Sequence, residues 1–328
     1  MHVEADTQAV AAAMTPVVRE GRDSDGLYGP TSEAWAMNRE GLLLLGSGPR
    51  ALLLQIAHPL VAEGVDQHSD FRDDPWARLA ATIASYQRIV YGTAAQARAE
   101  IRRLNTLHRS IAGPVRDADA RRRHGAAYSA RDPELSLWVH ATLIDSVLVA
   151  SDAWIGPVTR DRRVRFYEES KPIGRAFGVP ESLLPADVDA FERYMAAMLG
   201  PGGPVSPTPT ARGLAETILH PPLGPIVRSP AVAGLLRDAT PLVERGLALL
   251  PPPLYDWTML PAVGLLPQRL REAYGLRWGA REKAIAGWLV AAWRVWRPIL
   301  PPAVRWFPQA ISAERRVAAG GSRRRGSD

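Results

Sequence analysis

Hydrophobic positions along the chain recur at three- and four-residue intervals, and no stretch sustains a two-residue alternation, so the pattern predicts helices and no sheet. Trp35-Ala-Met-Asn-Arg-Glu-Gly-Leu-Leu-Leu-Leu-Gly reads as a helix that stops at Gly46, because glycine tolerates a left-handed cap. Another starts at Pro49. Leu54, His58, Val61, Val65 and His68 follow alternating four- and three-residue steps, which predicts one buried face carrying both histidines across a bend at Pro59. Asp73-Asp74-Pro75 opens the next helix, puts Arg78, Thr82 and Tyr86 on one inward stripe, and Gly92 closes it. Thr93 caps a further helix in which Ile101, Leu104, His108 and Ile111 share a face ahead of Gly113, turning His108 inward.

Asp132-Pro133 leads into a run from Leu135 to Val149 that is apolar nearly all round, save His140, Thr142, Asp145 and Ser146; such a helix belongs at the centre of a fold. Residues 161–178 and 186–199 read as two amphipathic helices, followed by a Pro/Gly-rich linker. Short helices then alternate with proline clusters at 221–222, 251–253 and 301–302. Trp278, Trp288, Trp293 and Trp296 beyond them read as core anchors. The expected layout is a polar leader over 1–24, a single helical domain over 25–311 with its linker near 200–213, and a basic disordered tail over 312–328.

Composition narrows the chemistry. At 46% hydrophobic, 328 residues can bury a substantial core. The net charge of +6 suggests nucleic acid less than it first does, since five arginines against two acidic residues beyond position 312 supply half of it. No aromatic-basic recognition motif accompanies the charge, so no nucleic-acid partner is expected. With 0 Cys there is no disulfide, thiolate nucleophile or iron–sulfur cluster, and any metal must sit on His, Asp, Glu or a cofactor. The first twenty residues do not read as a secretory signal, and the apolar stretches near 41–46, 135–150 and 285–300 are interrupted or shorter than the ~20 residues of a membrane span. A cytoplasmic chain follows, with peripheral membrane contact through the Trp-rich segment and arginine tail left open.

Of seven histidines, His58, His68, His108 and His140 fall on apolar helix faces, whereas His2, His124 and His220 lie in polar or proline-rich surroundings. Each of the four alone reads as a hydrogen-bonded core residue. Together with Arg78 and Thr82 they form a concentration of costly polar groups of the kind that marks a site. A carboxylate di-iron centre would need Glu-x-x-His pairs, and neither His108 nor His140 has a glutamate three positions before it. There is no Gly-x-Ser-x-Gly elbow, and Gly46-Ser-Gly-Pro-Arg lacks the ending of a phosphate loop.

The string from Gly48-Pro-Arg through His58-Pro-Leu-Val-Ala-Glu-Gly-Val-Asp-Gln-His68-Ser-Asp-Phe resembles the opening of the MpaB-type oxygenase family, related to the rubber oxygenases. Arg78-Leu-Ala-Ala-Thr82, Leu107-His108, Tyr128-Ser-Ala-Arg-Asp-Pro-Glu-Leu and Trp138-Val-His-Ala-Thr-Leu-Ile-Asp-Ser146 follow in the family's order. The resemblance covers about 25–200 and reaches the C-terminal half through Leu270–Trp278. It implies an all-α, globin-like multi-helix bundle around a buried pocket for haem b, with His108 as the iron ligand and Arg78 and Thr82 on the opposite side. His58, His68 and His140 would then be supporting donors or alternative ligands. The implied reaction joins dioxygen to an apolar, isoprenoid or lipid-like substrate. Rubber oxygenases carry a lysine before the motif threonine, where this chain has Ala81, and an arginine one turn after the ligand, replaced here near Ala112-Gly113; rubber cleavage is therefore not implied. The rival expectation is a non-catalytic helical protein that binds an apolar ligand.

Overall fold

Capping residues decide where the helices begin in the computed structural model, which describes residues 23–68, 75–220 and 253–325. Ser32 caps α1 (Glu33–Asn38), its hydroxyl accepting from the Trp35 amide; α2 (Gly41–Ala57) and α3 (Pro59–His68) follow, separated by the bend expected at Pro59. α4 (Pro75–Tyr91) and α5 (Ala94–Arg109) make a hairpin at Gly92, where Thr93 and Gln96 form a reciprocal capping box. A two-stranded antiparallel sheet pairs β1 (Ala112–Pro114) with β2 (Ala127–Ser129), Gly113 opposite Tyr128, on either side of α6 (Ala118–His124). The no-sheet expectation fails here because three-residue strands are too short to show a period. Asp132 caps α7 (Pro133–Trp154), followed by α8 (Arg160–Ala176), α9 (Val188–Leu199) and α10 (Pro209–Leu219). The remaining described helices are α11 (Pro253–Gly264), α12 (Gln268–Ala273), α13 (Ala280–Trp296), α14 (Pro302–Arg305) and α15 (Pro308–Arg325). The described residues are all-α apart from that small sheet. The leader up to residue 22, the proline clusters at 221–222 and 251–252, His2 and the last three residues lie outside the described part.

The centre of the fold is the crossing of α2 and α7. Leu53, Leu54, Ile56 and Ala57 of α2 pack with Trp138, Ala141, Ile144 and Leu148 of α7, all buried. The expected stop at Gly46 does not occur, and α2 runs through Gly46, Gly48 and Pro49. A tertiary contact explains it: a Cβ on Gly46 would come 3.1 Å from the Trp154 Nε1 of α7, so glycine serves close helix approach rather than termination. The chain breaks earlier, at Glu40, whose buried carboxylate accepts from Arg297 (2.9 Å) and Arg305 (3.4 Å).

Three further expectations are corrected. The segment after Gly200 is no loose linker: Val205 and Thr208 are buried, and Thr208 caps α10, which packs on α2 and α3. The tail expected to be disordered from 312 is helical through Arg325, because Ala310 and Ala313 bury against Trp35, Val90 and Tyr91. Glu314 accepts from the Trp35 indole (2.9 Å), and Arg316 donates to the Ser24 and Tyr91 carbonyls (both 2.8 Å). Finally, α7 is long and apolar enough to cross a membrane, contrary to the reading of 135–150, yet 67% of its most apolar window is buried inside the fold. It is the core helix that its nearly all-round apolar character indicated.

Candidate functional site

The α4–α5 hairpin carries Arg78, Thr82 and His108. Its two arms are clamped at buried Glu100, which accepts from Ser85 Oγ (2.5 Å), Arg88 Nη1 (2.6 Å) and Arg103 Nη2 (2.5 Å). Hydrogen bonds from Arg103, Ser85 and Arg88, with Arg103 foremost, hold the Glu100 carboxyl down at about 2, outweighing its burial. Away from the Gly92 junction, Arg78 lies seven residues before Ser85 and His108 eight residues after Glu100. At a rise of ~1.5 Å per residue both therefore stand roughly 10–12 Å beyond the clamp, and antiparallel packing brings their backbones level. The Arg78 side chain lies outside the described part. Thr82 is exposed, against the inward stripe expected; among the described side chains of α4 the buried ones begin at Ser85. Tyr86 does turn in, and its hydroxyl donates to Asn38 Oδ1 (2.7 Å).

His108 occupies the last turn of α5 and is half-buried, its ring centroid 6.1 Å from that of Phe177. The two helices meet through Ile101 and Leu104 packed on Ile173, Ala176 and Phe177, and Asn105 Nδ2 donates to the Ala176 carbonyl (2.8 Å). His140 reaches the same end of α8 from α7. A Cβ on Gly174 would come 3.0 Å from its Cδ2 and 3.3 Å from its Nε2, so glycine is what lets the ring lie there. Burial pushes the His140 ring down to about 4, with the nearby Ser170 carbonyl pulling the other way. Its Nε2 is buried and meets no partner in hydrogen-bond geometry. A neutral imidazole with an unshared nitrogen is the form that ligates iron.

His58 and His68 belong elsewhere. His58, buried at the α2–α3 bend, accepts at Nδ1 from the Leu60 amide (3.3 Å), and its ring centroid lies 5.1 Å from that of His124. Burial, then the neighbouring His124, lowers its pKa to about 4. His68 is exposed, against the buried face expected, because that face fades along α3; its Nε2 lies 3.1 Å from the Ala112 carbonyl. The structure thus brings His108 and His140 to neighbouring strips of one helix end and leaves His58 and His68 at α6 and β1. His220, discounted earlier, is exposed.

Two groups escaped the sequence reading. His124 lies among polar neighbours in the sequence, yet its ring meets that of His58 at an interplanar angle of 51°. Arg50 is buried, pairs with Asp145 (2.7 Å), and donates to Ser146 Oγ and the Leu265 carbonyl (both 2.8 Å), tying α2 to α7 and to the turn after α11. The signal for Arg50 was present: an apolar central helix bearing Asp145 needs a cation opposite it.

Among the described residues no three His, Asp or Glu side chains gather as a metal site. Haem, which brings four nitrogens of its own, would ask the protein for one imidazole, a donor of the kind His108 or His140 offers. Two relatives, uncharacterized proteins of Mycobacterium bovis and Mycobacterium tuberculosis, are each 34% identical to this chain over 68 residues, which is 21% of this chain and 27% of theirs. The match thus spans about a quarter of the length of those curated relatives. No solved structure matches the chain. The profile of the catalytic domain shared by the ER-bound oxygenases mpaB/B' and rubber oxygenase matches residues 35–296, and with most of its length covered the chain belongs to that family.

Proposed function

We propose that the protein is a haem b oxygenase that uses dioxygen to oxidise an apolar, isoprenoid or lipid-like substrate, with His108 holding the iron. What supports this reading is the oxygenase-family match over residues 35–296, with Arg78 and His108 at corresponding positions along the two arms of the α4–α5 hairpin by helix geometry. When bound, haem would supply the activation of dioxygen, chemistry that side chains alone do not provide. The residues themselves do simpler things. His108 contributes an imidazole on a helix end fixed by Phe177 and the Asn105–Ala176 hydrogen bond. Arg78 brings a permanent positive charge and donors to the same end of the hairpin, and Thr82 a hydroxyl one turn away.

A second ligand assignment has its own observation. His140 Nε2 is a buried imidazole nitrogen without a hydrogen-bond partner, as is that of His124 beside His58, whereas His108 is only half-buried. The visible spectrum of the purified protein decides between them. A haem Soret band that disappears in His108→Ala and persists in His140→Ala supports the assignment to His108. The reverse pattern moves the ligand to α7, and a protein that takes up no haem under reconstitution overturns the oxygenase reading in favour of non-catalytic binding of an apolar ligand.

A further inference from the structure

We infer that α13 and the turn after it form a docking surface for an anionic lipid bilayer. The inference rests on neither haem nor oxygenase activity. Two apolar seams run along α13. The inner one, Ala286, Val290 and Trp293, packs on the core. The outer one contains Trp288 and Val295, seven residues apart on one face, and is prolonged past the helix end by Ile299. With Trp296 and Val304 beside them, these residues are 59–70% exposed. They account for five of the seven large hydrophobic side chains recorded as exposed among the described residues, gathered within seventeen positions. An apolar stripe at helical spacing is ordinarily the side a helix buries; here it faces outward in the folded chain.

Charge says what covers it. Between Ala273 and Ala313 the sequence holds Arg277, Arg281, Lys283, Arg294, Arg297 and Arg305 against a single acidic residue, Glu282. Glu282 is engaged in accepting from the Gly279 amide at the start of α13 (2.8 Å), and Arg297 and Arg305 are directed to Glu40. Arg277, Arg281 and Lys283 are exposed, Arg281 one heptad before Trp288 on the same face, and Arg294, also exposed, donates to the Asp152 carbonyl of α7 (3.0 Å). Tryptophan beside a ring of cations suits the boundary between acyl chains and anionic headgroups, where the indole body is buried and its N–H stays wet. A second protein copy fits less well, because a two-fold contact through this face would set the same cations against each other.

Co-flotation of the full chain with vesicles tests the inference. The expected result is binding to phosphatidylcholine vesicles containing about one-third phosphatidylglycerol, weaker binding in high salt, and little binding to phosphatidylcholine alone. Trp288→Glu with Val295→Glu, both at exposed positions, should lower partitioning at least tenfold while leaving the unfolding midpoint in place. Arg281→Gln with Lys283→Gln should lower it by about fivefold for each charge removed. Equal binding by the wild type and the Trp288/Val295 variant, or no binding to either vesicle, overturns the inference. So does a concentration-dependent dimer abolished by the same substitutions, which would assign the face to a second copy.

Discussion

α7 and α13 carry similar amounts of apolar side chain in similar runs, yet the fold uses them in opposite ways. α7 is buried along both flanks, against α2 on one side and α8 on the other, and even its polar residues are taken inside: Thr142 and Ser146 are fully buried and Asp145 meets Arg50. α13 packs one seam on α7 and α11 and leaves the opposite seam outside. The difference lies in what flanks the apolar residues. Between Leu135 and Val149 of α7 the interruptions are small hydroxyls, a histidine and the single carboxylate Asp145, which meets Arg50 indoors, whereas in α13 they are mostly arginines and lysine, which hold the helix at the surface. Apolar content alone therefore does not tell a core helix from a docking helix; the polar residues between do.

The sharpest way to break the comparison is to truncate the same residue type in both helices. Trp138 of α7 is fully buried in the central cluster, and Trp138→Ala should cost about 3–5 kcal/mol of stability through lost burial and the cavity left behind. Urea unfolding followed by far-ultraviolet circular dichroism reads this directly. A loss below about 1 kcal/mol would mean that α7 is not the centre of the fold.

Much of this arrangement was legible in the sequence, and the reason is locality. The cap at Asp132-Pro133, the Thr93 cap, the start at Pro75 and the bend at Pro59 are each decided by residues within one turn, and all appear where expected. What was illegible depends on distant partners. Gly46 looks like a terminator until Trp154 is placed against it, the tail looks disordered until Ala310 and Ala313 meet Trp35 and Tyr91, and Trp288 looks like a core anchor until its face is found outside. The candidate site divides in the same way. The hairpin that sets Arg78 level with His108 follows from Gly92 and Thr93, whereas the pairing of His58 with His124, and the contact of His140 with Gly174, join positions remote in sequence.

Titration sharpens the contrast from the polar side. His58 and His140 are buried neutral, each with its pKa lowered from 6.5 to about 4. The unfolded chain takes up these protons first, so the stability they represent is complete above pH 6.5 and is lost as pH falls from 6.5 through 4. Each contributes at most about 3 kcal/mol. Glu100, held at about 2, acts in a separate and more acidic window, between 4.5 and 2. The urea midpoint should therefore fall steeply between pH 6.5 and 4, and His140→Leu should flatten part of that slope. An unchanged slope in both His140→Leu and His58→Leu would mean that these rings are not held neutral in the interior.

The smallest expected effect carries the most information about α13. Trp288 is 69% exposed, so Trp288→Ala removes little area that folding had taken from water and should change stability by no more than about 0.5 kcal/mol. A larger loss would mean that the outer seam already packs on something within the folded chain, and the contrast with Trp138 would narrow. Near-neutral stability would instead leave this indole without a folding role. A large aromatic side chain kept in water would then be accounted for by what the surface meets, as the membrane contact proposed for α13 requires.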